Sequence, residues 1–146
     1  EEPFIKMLPT NIAASIGLAQ IDKFDLLQKR RKEIWDIYQE EFKKLPIIKP
    51  QEAKNGDRHS YFTYCIRVDK RDALARYMLK NDIYTTLRYH PLHLSPLYRQ
   101  TDIHLLNTEL LGETALNIPL HPRMAENDVV KVVETIKKFF EDYHDY

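Results

Sequence analysis

The chain has 146 residues, 43% hydrophobic, 30% charged and 11% aromatic, which describes one folded domain with its own core rather than a disordered segment. Lys and Arg total 22 and Asp and Glu total 22, so the formal charge is zero; this argues against a general nucleic-acid binder and a polybasic membrane-surface module. The single cysteine, Cys65, excludes an internal disulfide framework and fits a reducing, cytoplasmic compartment, and no apolar run approaches the ~20 residues that cross a bilayer. The first residues, Glu1-Glu2-Pro3, carry no initiator Met and no signal peptide, so a piece of a longer protein, or a processed one, is expected.

Thr10-Asn11 caps a long helix, or a kinked pair, that Pro46 stops near Leu45. Its apolar residues run from Ile12, Ile16, Ala19, Ile21, Phe24 and Leu27 to Ile34, Ile37, Tyr38 and Phe42, at spacings mostly of three and four. Such a helix outreaches the core of so small a domain and is expected to pack on something else. Residues 49–58 read as an exposed loop with a turn at Asn55-Gly56. His59 to Val68 reads as a strand packed on both sides. Asp69 caps a helix over Lys70 to Asn81, with Leu74, Tyr77 and Met78 inward, and Ile83 to Tyr89 forms a second strand.

The stretch from His90 to Tyr98 is a proline-stiffened loop, followed by a helix over about 103–115 with Leu106, Leu110 and Leu111 inward. Leu116 to Leu120 forms a short edge strand, the sheet position that tolerates Pro119. Glu126 and Asp128 open the last helix, whose buried stripe is Val129, Val132, Val133, Ile136, Phe139 and Phe140. The expected fold is α+β: a small, mostly antiparallel sheet of about three strands covered by helices, with a long N-terminal helix.

Three glycines, Gly17, Gly56 and Gly112, allow no phosphate-binding loop. Cys65 in a core strand reads as a small hydrophobe rather than a nucleophile, and no serine sits in an elbow motif. No His, Cys or Asp spacing matches a zinc pattern, so no metal is expected. His90 and His93 flank Pro91-Leu92 at a strand end, where a loop either sets a turn or holds ligand-binding residues. Arg88 beside them suits bidentate phosphate recognition.

Four stretches in order resemble the DegT/DnrJ-type sugar aminotransferases. Asn11 to Gln20, with Lys23 and Arg30-Arg31, resembles the family's N-I-x-A-A-I-G-L-A-Q helix. His59 to Asp72 resembles H-S-Y-H-x-Y-x-I-R-V-D-x-R-D. Tyr89 to Leu94 is similar to Y-x-P-L-H-L, and Leu116 to Pro122 to L-x-L-P-L-H-P. The resemblance implies the small C-terminal domain, residues 1–146, of a homodimeric fold-type I enzyme dependent on pyridoxal 5'-phosphate (PLP). Such enzymes move an amino group from glutamate to a nucleotide-diphosphate keto-sugar. It further implies that the large PLP-binding domain is absent from this chain, that no catalytic residue lies in it, and that it is inactive alone. By the same resemblance Arg88, Tyr89 and His93 hold the nucleotide sugar, and Lys6 reaches the partner subunit's cofactor phosphate. A stand-alone dimerisation or small-molecule-binding module is the alternative reading.

Overall fold

The structure, a computed structural model, describes residues 9–87, 90–98 and 103–142. Among them are five helices: α1 (Asn11–Ile21), α2 (Phe24–Glu41), α3 (Arg71–Lys80), α4 (Leu106–Thr114) and α5 (Glu126–Asp142). Two strands, β1 (Tyr64–Arg67) and β2 (Ala115–Ile118), pair antiparallel, with Tyr64 opposite Ile118 and Arg67 opposite Ala115. This is the expected α+β arrangement. Single antiparallel bridges extend the ribbon on both sides, Ile48 to Arg67 and Thr86 to Asn117.

The sheet departs from expectation in two ways. The segment after α3, expected as a second strand, forms among the described residues only a single bridge, at Thr86, beside β2. The position of β2 is correspondingly central, not peripheral: it pairs on both sides, and all four of its residues are buried. Pro119 is tolerated because it falls one residue beyond the strand, where no ladder donor is needed. Asn117 reinforces the join, its side-chain amide donating to the Thr86 carbonyl (3.2 Å) and its Oδ1 accepting from Thr63 (2.9 Å).

The expected long helix is a pair. Thr10 Oγ1 accepts from the Ala13 amide (3.1 Å) and caps α1 as expected, but the helix breaks at Asp22–Lys23. α2 ends at Glu41, before Leu45, because Phe42 turns into the core and the next amides close i−3 bonds. α1 buries nothing: Ile12, Ile16, Leu18 and Ile21 are each more than half exposed. α2 buries Ile34, Trp35 and Tyr38. The stripe of α5 is confirmed, with Val129, Val132, Val133, Ile136 and Phe139 buried and Phe140 packed at its edge. α3 is capped at Lys70 rather than Asp69, and it buries Leu74 and Met78 with Tyr77 half-buried.

α4 is a correction. Leu106, Leu110 and Leu111 face outward rather than inward, and only Thr114 is buried. The helix is held instead by its backbone: Gly112 lies so close to Pro91 that a Cβ there would stand 3.0 Å from the Pro91 Cγ. Arg71 adds a bond from its Nη1 to the Gly112 carbonyl (3.0 Å), tying α3 to the same turn.

The core centres on Tyr64. Its ring meets Trp35, Tyr38 and Phe42 at 4.8, 5.1 and 6.2 Å, mostly edge to face. The Tyr38 hydroxyl donates to the Pro119 carbonyl at 2.8 Å, whereas the buried Tyr64 hydroxyl has no hydrogen-bond partner among the described residues. Burial raises both phenols well above the usual tyrosine range. The two rings therefore respond oppositely to loss of the oxygen. Tyr38→Phe is expected to destabilise the chain by about 1 kcal/mol, and Tyr64→Phe to leave it unchanged or up to about 1 kcal/mol more stable, in urea denaturation followed by circular dichroism.

Candidate functional site

The segment carrying the anticipated ligand contacts sits between α3 and α4. Arg88, Tyr89 and Lys6 lie outside the described residues. His93 lies within them, on a single 3-10 turn (Leu92–Leu94) that Pro91 initiates. Pro91 is buried against Gly112, so the turn is fixed to α4 at its first residue. Amide bonds from Leu94 to Pro91, Ser95 to Leu92 and Tyr98 to Ser95 stiffen the chain as far as Tyr98.

His93 is not an open hand. Its side chain is only 9% exposed, and its Nε2 lies 2.9 Å from Glu109 Oε1. The same oxygen accepts the Leu105 amide at 2.9 Å. His104 Nδ1 stands farther off, at 3.7 Å, with its ring in solvent. Glu109 therefore has two roles. It reaches back to the amide that starts α4, one residue beyond the usual capping-box position, and it holds the imidazole. The hydrogen bond with His93, then the Leu105 amide, places the Glu109 carboxyl below the usual carboxylate range. His93 is thus pinned by Nε2.

Sequence reading missed Glu109. Its signal was an acid in the first turn of a helix that lacks a Ser, Thr, Asp or Asn cap. His90 is exposed and does not share this cluster. Cys65 is half-buried rather than buried, on the face of β1 away from Tyr64 and Ile66. Among the described residues no three His, Cys, Asp or Glu side chains form a metal-holding group.

The described lysines can be compared with what imine chemistry requires. A lysine that forms an imine with an aldehyde cofactor needs a desolvated, easily deprotonated amine. None of the described lysines is buried. Lys32 and Lys137 are held instead by Asp36 and Glu41, each at 2.6 Å, and those hydrogen bonds raise their ammonium groups above the ordinary range. The described residues do not fit the imine-forming role.

The clasp is open to direct measurement. In an NMR pH titration the Glu109 carboxyl is expected to titrate below the ordinary glutamate range, and His93→Ala to move its midpoint upward. Because the folded carboxyl is depressed, the stability it adds is present above the ordinary carboxylate range and is lost as pH falls through the depressed value. An unshifted midpoint in the wild-type chain contradicts the clasp.

Residues 5–137 match the model of the DegT/DnrJ/EryC1/StrS aminotransferase family. The chain is 31% identical over 140 residues to GDP-perosamine synthase from Vibrio cholerae, covering 90% of this chain and 37% of that protein. It is 30% identical over 141 residues to dTDP-4-dehydro-2,3,6-trideoxy-D-glucose 4-aminotransferase from Saccharopolyspora spinosa, covering 94% of this chain and 36% of that one. The crystal structure of the aminotransferase TlmJ from Streptoalloteichus hindustanus superposes with a TM-score of 0.86 at 32% identity, over 91% of this chain and 37% of that one. The chain spans little more than a third of the length of the relatives it matches.

Proposed function

The chain belongs to the DegT/DnrJ/EryC1/StrS aminotransferase family, and on that premise we propose that it is the small C-terminal domain of a PLP-dependent, homodimeric sugar aminotransferase. The observation that carries this reading is α1: a capped helix whose apolar side chains, Ile12, Ile16, Leu18 and Ile21, find no cover within the described residues. The cover is a large domain preceding it, and the chain's share of its relatives' length supports this.

In this reading PLP supplies the electron sink for amino transfer, and its imine-forming lysine belongs to the large domain. This chain closes one wall of the substrate pocket. Arg88 and Tyr89 contact the nucleotide-linked keto-sugar, and His93, held through Glu109, fixes the turn that comes after them in the chain. Glutamate is the amino donor, and Lys6 contacts cofactor phosphate across the dimer. The zero formal charge and lone Cys65 fit a cytoplasmic enzyme of small metabolites; among the described residues no helix is long and apolar enough to cross a membrane.

Two measurements test the assignment. PLP added to the 146-residue chain is expected to give no stoichiometric imine absorbance, and a stable, saturable imine band overturns the division of labour. In the protein with its large domain, His93→Ala is expected to raise KM for the nucleotide sugar more than for glutamate. A larger effect on glutamate overturns the role given to His93.

A further inference from the structure

The His93 turn and α4 meet at two points. Gly112 takes Pro91 against its backbone, where an added Cβ would stand 3.0 Å from Cγ and 3.2 Å from Cδ of the proline ring. Glu109 takes His93, with its Oε1 2.9 Å from Nε2. Glu109 and Gly112 are three residues apart in α4 and so share one face of the helix. The order is crossed, since the earlier turn residue meets the later helix residue. Two contacts in that order hold the direction of the turn as well as its position.

The stability of α4 by itself does not account for either residue. Glycine is the poorest helix former after proline, and Gly112 does not adopt the left-handed backbone that glycine supplies at turns. What its missing side chain permits is the approach of Pro91. The Gly112 carbonyl also accepts from Arg71 Nη1 at 3.0 Å, so α3 fixes the same residue from the other direction. Glu109 does serve the helix, because its Oε1 accepts the Leu105 amide, but the same oxygen also holds His93. An ionised carboxylate only accepts, so Nε2 of His93 carries a proton, and a neutral ring is held as that tautomer. One oxygen thereby sets both the orientation and the tautomer of a largely buried imidazole.

We propose that Glu109 and Gly112 are positioning residues for the nucleotide-sugar site: a two-point clamp on α4 sets the turn that Pro91 initiates, and the His93 ring on it, in the arrangement that substrate binding requires. The proposal rests on the amino-transfer reading given above and assigns neither residue a contact with substrate.

Steady-state kinetics of the protein with its large domain test it, with dTDP- and GDP-linked 3-keto and 4-keto hexoses as probes. Glu109→Asp keeps an acid in the first turn of α4 but shortens the reach to His93. It is expected to raise KM for the nucleotide sugar about tenfold and to leave KM for glutamate within about twofold of wild type. Glu109→Gln keeps an acceptor oxygen at the original reach, and KM is expected to return to within about threefold of wild type. Added to His93→Ala, Glu109→Asp is expected to cost no more than about twofold, because its effect runs through His93. Gly112→Ala presses on Pro91 and is expected to raise the same KM about threefold, whether or not the Glu109 variants fold. Ring-nitrogen NMR shifts of His93 in the 146-residue chain give a readout that needs no turnover. The Nε2-protonated tautomer is expected in wild type and Glu109→Gln, and a mixture of tautomers in Glu109→Asp. An unchanged tautomer in Glu109→Asp, or equal changes in KM for both substrates, overturns the positioning role and leaves the amino-transfer reading standing. Turnover of none of the probes overturns that reading, and the proposal with it.

Discussion

The fold depends on burying one tyrosine ring. A two-stranded ribbon of four residues per strand is marginal in water and needs a cover. Tyr64 supplies the contact surface, projecting from β1 into a nest of Trp35, Tyr38 and Phe42 on and just after α2. Large aromatic side chains bury the most area per residue, so one strand position recruits a whole helix. The stripe of α5 joins the same cluster, and Leu74 and Met78 of α3 complete it. The Tyr38 hydroxyl then fastens α2 to Pro119, just past β2. On the surface Arg30 acts similarly, pairing with Glu126 and donating to the Met124 carbonyl, so that α2 and the start of α5 share polar as well as apolar contacts.

From that centre the site is built outward by backbone, not by side-chain burial. β2 holds Thr86 through the reciprocal amide bonds of Asn117, and this places the segment after α3. α4 runs directly into β2, and its close approach to Pro91 at Gly112 positions the His93 turn. Glu109 holds that turn in one arrangement by serving the helix start and the imidazole with one oxygen. The exposed leucines of α4 have the same origin: the helix is held by its Gly112 and Thr114 carbonyls, which accept from Arg71 and from the Val68 amide, so it has no need of an inward leucine face.

α1 stands outside this network. An eleven-residue helix is marginal in isolation, and a side-chain cap from Thr10 offsets only part of the cost of nucleation. Its isoleucines and leucine leave apolar surface that water disfavours. That imbalance is the physical basis for assigning it to a larger body. A cavity between the first half of α2 and the segment 53–61 is the polar counterpart. Its wall combines an orphan buried acceptor, Gln28 Oε1, with the left-handed backbone of Tyr61, and each costs stability.

Local chemistry made much of this legible in the residues themselves. The stripe of α5, the Thr10 cap, the turn at Asn55-Gly56 and the inward Leu74 and Met78 depend on periodicity and on single-residue preferences, and all stand in the fold. The order of the motifs along the chain also pointed to the family that the match over residues 5–137 bears out. Neighbours decided the rest. Whether residues 115–118 sit at an edge or a centre depends on which segments arrive beside them, and a strand's own alternation carries no such information. The outward turn of Leu106, Leu110 and Leu111 depends on where Pro91 meets α4. The partnership of His93 with Glu109, and the gathering of Lys29, Arg58 and His59 around one cavity, join residues far apart in the chain. Such pairings are made by chain closure, because the packed core and the backbone contacts built out from it determine which distant side chains come within hydrogen-bond reach.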